Sequence, residues 1–235
     1  MINEAIILAG GLGTRLRSIV KDVPKPMADI NGKPFLEYIF HYLKYFNITK
    51  IILAVGYKAD IIKNHFGNNF NGISIIYSEE KELLGTGGAI KQAIKFSEGN
   101  DVLILNGDTF FDVDLNKAYQ FHKQKHSNLT ILLKQMIDVQ RYGIIEIDEN
   151  NKIKRFLEKY QRDNGYINGG IYLLNKKIFL SLDLPVKFSF EKDFLEKYYQ
   201  LSDFYGFISD SYFIDIGVPE DYERAKKDFK RFKYR

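Results

Sequence analysis

Cysteine is absent from the 235-residue chain. With it go disulfides, thiolate zinc sites, cysteine-ligated iron–sulfur clusters and covalent thiol catalysis. Long apolar runs are missing too, and nothing approaches the ~20 residues that a membrane helix needs. The N-terminal MINEAIILAGG puts an acidic residue before a short apolar run, whereas a secretory signal has a basic start and about 7–15 apolar residues. The expectation is a cytoplasmic protein with no membrane partner. No internal repeat, low-complexity segment or Pro/Gly/Ser-rich linker occurs. The 19 Phe and 16 Tyr exclude intrinsic disorder. A length of 235 residues suits one large domain or two small ones, and with no linker a single domain is expected.

The net charge of +4 raises the question of nucleic acid. Residues 223–235 carry seven Lys/Arg against two Asp/Glu, a net of +5, which leaves the first 222 residues at −1. A basic helix end is favoured by its own dipole and stays solvated, so no nucleic-acid partner is expected.

What is present is an alternation. Apolar runs at 4–9, 50–55, 73–78 and 101–106 read as strands, and residues 36–46, 59–66 and 87–96 have helical spacing. That order implies βαβ crossovers and a mostly parallel sheet covered on both faces, an α/β fold of Rossmann-like, three-layer type. After a helix around 115–125 the rhythm changes. LTILLKQ, YGIIEID, KIKRFLE and INGGIYLL are strand-like, with a hairpin turn at 148–151. Residues 190–199 read as helix, 204–208 and 212–217 as strands, and 219–233 as a last helix with Pro219 in its first turn. The expected organisation is a nucleotide-binding half over about 1–127, a strand-rich lobe over about 128–218 and a basic C-terminal helix over 219–235.

The sharpest motif is Gly10-Gly11-Leu12-Gly13-Thr14-Arg15-Leu16, at the carboxyl end of the first strand, where open α/β sheets bind ligands. Glycines there let successive N–H groups converge on phosphate oxygens, and Arg15 adds a bidentate fork. It is neither G-x-G-x-x-G nor a P-loop. Ten residues beyond Arg15 stands Pro24-Lys25-Pro26-Met27, whose two prolines restrict the backbone and pre-position one ammonium. Asp108 and Asp215 each emerge from an apolar strand beside a glycine. With a phosphate-binding loop they suit a divalent cation such as magnesium, which takes one or two carboxylates and completes its shell with substrate phosphates.

GGLGTRL with PKPM, LGTGGAI, NGDTFF, Glu158-Lys159, NGGIY and FIDIG together resemble the sugar-1-phosphate nucleotidylyltransferases, over residues 5–222. Within that family NGDTFFDVDL, NGGIYLL and YFIDIGVPEDY most resemble the guanylyltransferases of heptose 1-phosphate. The resemblance implies attack of a sugar 1-phosphate oxygen on the α-phosphorus of a nucleoside triphosphate, with release of pyrophosphate. It assigns the triphosphate to Gly10, Gly11, Gly13, Thr14 and Arg15. Lys25 neutralises charge at the reacting phosphates, with Arg15, Lys25 and Asp108 as the catalytic set, and Asp108 and Asp215 hold Mg2+. Glu158 and Lys159 take the sugar hydroxyls and phosphate, Gly143 and Asn168 line the sugar pocket, and Gly85 with Gly87 or Gly88 lies by the base. The family's Glu-Lys-Pro triplet reads Glu158-Lys159-Tyr160 here. Glu80, on the loop leading into Gly85, favours GTP, because an ionised carboxylate can accept from both N1–H and N2–H of guanine. Glu79 is its alternative, and a solvated acidic turn the plain one.

Two other functions remain open. Asp112-Val113-Asp114 is the pattern of a metal-dependent glycosyltransferase, but that leaves the glycine loop and Lys25 without work. A nucleotide-sensing regulatory subunit would require a broken site, yet Arg15, Lys25, Asp108 and Asp215 are all present. His122 and His126 read as a wet helix face, His41 as a core-edge residue and His65 as the C-terminal end of a helix.

Overall fold

The computed structural model describes residues 2–11, 13, 16, 20, 22–137, 139, 142–157 and 164–234. It opens on strand β1 (Glu4–Leu8). A 3-10 turn over Lys25–Met27 and a hairpin of β2 (Asp29–Ile30) and β3 (Lys33–Pro34) lead into helix α1 (Phe35–Tyr45). Next come β4 (Lys50–Val55), α2 (Ala59–Phe66), β5 (Asn69–Phe70) and β6 (Ile73–Glu79). α3 (Gly85–Ala93), β7 (Asp101–Asn106), β8 (Thr109–Phe111) and α4 (Leu115–Gln124) complete the first half. The second half runs β9 (Leu129–Ile137), β10 (Ile144–Ile147), β11 (Ile153–Leu157), β12 (Asn164–Asn175) and α5 (Lys176–Ser181). A π-helix over Phe190–Leu195 then passes into α6 (Glu196–Tyr198), followed by β13 (Phe204–Ser209), β14 (Phe213–Asp215) and α7 (Pro219–Asp228).

Strands β7, β1, β4 and β6 lie side by side and parallel, so that Ile6 pairs with Ile52 on one flank and Ile104 on the other. β12 joins β7 antiparallel and carries the second half, with β9 and β10 pairing onto it, β11 onto β10 and β13 onto β9. Side chains alternate between faces along a strand, and the core divides accordingly. Ala5, Ile7, Leu53 and Leu105 pack under α1, α2 and α7, whereas Ile6, Ile52 and Ile104 pack under α3, α5 and the π-helix. Both faces are covered, which is why these strands read as unbroken apolar runs.

Three expectations are corrected. Residues 190–199 do not form a plain α-helix: a π-turn carries Phe190, Phe194 and Leu195 into the core together and leaves Glu191 on another wall. The last helix stops at Asp228, followed by a 3-10 turn over Phe229–Arg231 whose Phe229 is buried, as is Tyr234 beyond it. His122 is not on a wet face. It is buried, with Nδ1 2.8 Å from Thr130 Oγ1 and Nε2 3.6 Å from Asp101 Oδ1.

That histidine belongs to a polar network at the amino end of β7, remote from the strand's functional end. Asp101 also accepts from Lys123 Nζ at 2.9 Å and Tyr119 OH at 3.3 Å. Burial alone would raise the Asp101 carboxyl, but the His122 ring beside it and the hydrogen bond and charge of Lys123 outweigh it and hold it down at about 2. A depressed carboxyl stabilises the fold above its unfolded value, and that stabilisation is lost as pH falls from about 4 through about 2. Asp101→Asn should therefore cost about 2 kcal/mol near neutral pH and flatten the acid limb of stability. Urea unfolding at pH 7 and pH 2.5 reads both; an unchanged acid limb would dissociate Asp101 from acid unfolding.

Candidate active site

The carboxyl ends of β1, β4 and β7 open into a cavity of 520 Å³, within the size range of small-molecule sites. Gly10, Gly11, Gly13, Lys25 and Pro26 line one part, Asn106 and Asp108 another, and Glu80, Leu83, Gly85, Thr86, Ala89 and Glu191 the rest. Gly10 is closely approached: a Cβ there would stand 2.7 Å from Glu80 Oε1 and 3.2 Å from the Gly56 nitrogen, so Glu80 and the β4 end would have to shift. Gly13 has φ +59°, in the left-handed region, and a Cβ would come within 3.1 Å of Lys25 Cβ. Thr14 and Arg15 lie outside the described residues.

The proline bracket does what its sequence implies. Pro24 is extended (φ −66°, ψ 151°), and the Met27 N–H donates to Pro24 O at 2.8 Å, closing the 3-10 turn. Lys25 is thereby held with only 8 % of its surface exposed. Its ammonium donates to Asp108 Oδ2 at 2.6 Å and lies 3.7 Å from Asp215 Oδ1.

The two carboxylates arrive from different parts of the chain. Asp108 follows β7 and precedes β8, and β14 pairs β8 antiparallel with Asp215 opposite Thr109. Asp215 Oδ1 also accepts from the Gly217 N–H at 2.7 Å, which fixes the carboxyl plane. The donor set fits magnesium: two carboxylates converge where a cationic group already sits, and among the described residues no third His, Asp or Glu joins them. Substrate phosphate oxygens would complete the shell.

The opposite wall is built by the chain after β6. The Glu80 N–H donates to Val55 O at 2.9 Å, and its Oε2 accepts from the Leu84 N–H at 2.9 Å. Burial raises the Glu80 carboxyl, partly offset by that Leu84 bond. Glu79 turns the other way and pairs with Lys63 at 2.5 Å. Of the two glutamates, Glu80 faces the cavity.

Gly87 and Gly88, expected by the base, are covered by the segment around Phe188 and do not line this cavity. Their N–H groups donate to Phe188 O at 3.0 and 3.3 Å. A Cβ on Gly87 would stand 2.2 Å from the Phe188 ring, and one on Gly88 2.4 Å from Val186 O. They are glycine because the segment around Phe188 lies on the start of α3. Gly85, Thr86 and Ala89 line the cavity instead. Thr86, Leu83, Asn106 and Glu191 also line the cavity without having been expected there; Asn106 and Thr86 stand inside motifs that gave a signal, whereas Leu83 and Glu191 lie in no recognisable pattern.

Gly143 and Asn168 do not line this cavity. The antiparallel register pairs Ile144 with Ile167, which sets Gly143 beside Asn168 one step along. Asn168 Nδ2 donates to Tyr172 OH at 2.8 Å, and its Oδ1 accepts from the Gly170 N–H at 3.0 Å. Glu158 and Lys159 lie outside the described residues. Asp112 and Asp114 are otherwise employed: Asp112 accepts from Tyr234 OH at 2.5 Å and pairs with Lys233 at 2.9 Å, while Asp114 caps α4 by accepting from the Asn116 and Lys117 N–H groups. Neither reaches the cavity, which removes the glycosyltransferase motif.

A glycine turn, a buried lysine and two carboxylates at the strand ends define a protein that handles nucleoside phosphates. The chain belongs to the nucleotidyl transferase family, whose profile matches residues 4–231. It is 52 % identical over 229 residues to the D-glycero-alpha-D-manno-heptose 1-phosphate guanylyltransferase of Aneurinibacillus thermoaerophilus, covering 97 % of this chain and 99 % of that one. The enzyme of the same name from Campylobacter jejuni is 56 % identical over 219 residues, covering 93 % and 96 %. Among solved structures, HddC from Yersinia pseudotuberculosis superposes with a TM-score of 0.88 at 43 % identity, covering 97 % of this chain and all of that one. The same protein complexed with GMP-PN gives 0.87 at the same identity and coverage. Among the described residues no helix is long and apolar enough to cross a membrane.

Proposed function

We propose that this enzyme transfers GMP from GTP to D-glycero-alpha-D-manno-heptose 1-phosphate, releasing pyrophosphate and forming a GDP-sugar in the cytoplasm for surface polysaccharide synthesis. The observation that carries the reaction class is Lys25, held between Asp108 and Asp215 at the mouth of the glycine turn. The relatives above carry the choice of base and sugar.

An oxygen of the sugar phosphate attacks the α-phosphorus, the new P–O bond forms as the bond to the β-phosphate breaks, and pyrophosphate departs. A phosphate monoester is already ionised at neutral pH, so no base is required and no proton moves from the nucleophile. The chain's task is charge neutralisation and in-line positioning. Gly10, Gly11 and Gly13 present backbone to the phosphates without side chains in the way, with Arg15 beside them in sequence. Lys25 supplies positive charge where the departing phosphates accumulate negative charge. Asp108 and Asp215 would hold magnesium, whose chemistry is to bind phosphate oxygens and stabilise their charge. Gly143, Glu158, Lys159 and Asn168 receive the sugar 1-phosphate.

Guanine falls to Glu80, the cavity-facing glutamate of its pair. Uracil and thymine offer one N–H between two carbonyls, which a carboxylate repels. Pyrophosphate release with GTP, UTP, dTTP and CTP against a panel of sugar 1-phosphates tests the assignment. Glu80→Gln should weaken kcat/KM for GTP by roughly 1–3 kcal/mol and narrow its advantage over UTP. A parent that prefers UTP or dTTP tenfold ends the guanine assignment, and a silent variant removes Glu80 from it.

A further inference from the structure

We infer that Glu191 is a specificity residue for this reaction, accepting a hydrogen bond from a substrate hydroxyl, on the ribose of the nucleotide or the ring of the sugar 1-phosphate. The inference rests on the reaction proposed above and adds to it the group that one wall of the cavity reads.

Glu191 stands in the first turn of the π-helix and reaches the cavity wall beside Thr86. π-Helices are rare and recur at functional sites, and this one turns its aromatic residues inward while presenting one carboxylate to the cavity. That carboxylate is held in place. Thr86 Oγ1 accepts from the Phe190 N–H at 2.8 Å and donates to Glu191 Oε2 at 2.7 Å. Ser189 Oγ accepts from the Lys192 N–H at 3.2 Å and donates to the same oxygen at 2.9 Å. Oε2 is thus saturated by two hydroxyl protons whose direction is set by the backbone. Oε1 has no hydrogen-bond partner among the described residues, and no buried side-chain oxygen is left unsatisfied. It is therefore accessible, on a side chain that lines the cavity.

An ionised carboxylate on the wall of a phosphate-binding cavity repels phosphate oxygens, so its place implies a donor on the substrate. The substrates offer base N–H groups and hydroxyls. Glu80 already occupies the loop between β6 and α3, leaving the hydroxyls to Glu191.

The scaffold also dictates the cleanest substitution. In Glu191→Gln the two donors from Thr86 and Ser189 would select the amide oxygen for the Oε2 position and turn the NH2 toward the cavity. An acceptor becomes a donor with no change of shape. The test is kcat/KM for GTP, 2′-deoxy-GTP and 3′-deoxy-GTP, and for the accepted sugar 1-phosphate and its monodeoxy analogues, in parent and variant. In the parent, one deoxy analogue is expected to lose about tenfold or more. In Glu191→Gln the full substrate should fall by a similar factor, and removing that same hydroxyl should then cost no more than about twofold. A nucleotide analogue giving this pattern identifies the ribose, and a sugar analogue the sugar ring. If the variant lowers every substrate and analogue by one common factor, or changes none, Glu191 reads no hydroxyl. Thr86→Val, which keeps the charge and removes one of its two donors, should narrow the same ratio; if Glu191→Gln does not fold, an unchanged ratio in Thr86→Val overturns the inference. Should the parent use another triphosphate, the guanine assignment fails, and the same deoxy comparison on that triphosphate still decides the role of Glu191.

Discussion

Lys25→Ala should lower kcat by about 100-fold while changing triphosphate affinity far less, the loss expected when one preorganised charge is removed from a transition state. Lys25 is buried between Gly13 and Gly217, and a Cβ on either would come within 3.1 Å of it, at its Cβ and its Nζ respectively. Two glycines thus shape the channel for one side chain, and the ammonium ends 2.6 Å from Asp108. A ground-state phosphate ligand could be served by any exposed lysine; a buried, oriented one is arranged for charge that develops at a fixed point. Asp108→Asn and Asp215→Asn should each lose magnesium-dependent activity, because an amide brings no charge to a cation. Steady-state kinetics over a magnesium series, with triphosphate titration by calorimetry, separates the cases. Near-normal turnover in Lys25→Ala would take the lysine out of the chemistry, and metal curves that match the parent would leave the two aspartates as structural residues.

The central sheet was legible because burial on both faces forces apolar runs: KIILAV and DVLILN can be little else when each is followed by a turn signal. The end of the cavity lined by the glycine turn and Lys25 was legible for a related reason. Gly10 and Gly13 are constrained by steric contact, and Pro24-Lys25-Pro26 by backbone restriction, and both constraints leave marks in the one-letter code. Two small hairpins were marked but not read: Asn31-Gly32 and Asn71-Gly72 both take positive φ at both turn positions and join β2 to β3 and β5 to β6, the Asn-Gly hairpin signal.

What was not legible depends on contacts between distant segments. Nothing in GTGGAI shows that Gly87 lies under the Phe188 ring; only the path of residues 184–190 decides that. His122 looked solvated because its sequence neighbours are Lys123 and Lys125, yet the helix face it occupies meets Thr130 and Asp101 across the fold. Glu191 was invisible for the same reason, its partner Thr86 being 105 positions away.

The C-terminal segment shows how charge can mask an anchor, and it carries a large expected effect on stability. Phe229 stacks on Phe232 at 4.1 Å between ring centres, lies 4.8 Å from Tyr38 and 5.9 Å from Phe35, and meets Phe110 at 5.7 Å. Phe232 lies 4.7 Å from Phe110, and Tyr234 lies 5.2 Å from Tyr42. Phe110 is two residues beyond Asp108 and pairs with Ile214, next to Asp215. The tail therefore packs on the strand pair that positions both carboxylates, though none of its described residues lines the cavity. Phe229→Ala should cost about 3–5 kcal/mol, a large share of the ~5–15 kcal/mol that holds such a protein. At roughly 2–4 °C per kcal/mol for a chain of this size, the melting temperature should fall by roughly 6–20 °C. Removal of residues 226–235 should be worse, since Phe229, Phe232 and Tyr234 leave together. Lys226→Gln with Lys227→Gln should shift stability by no more than about 1 kcal/mol, because exposed ion pairs such as Lys226–Glu223 contribute little. Thermal melts rank the three variants, and turnover at 10 °C, where Phe229→Ala is expected to be folded, should stay within about threefold of the parent. A collapse of turnover in the truncated protein with an unchanged melting temperature would instead make the tail part of the catalytic machinery, and a lysine pair that outweighs Phe229 would make its charge, not its rings, the anchor.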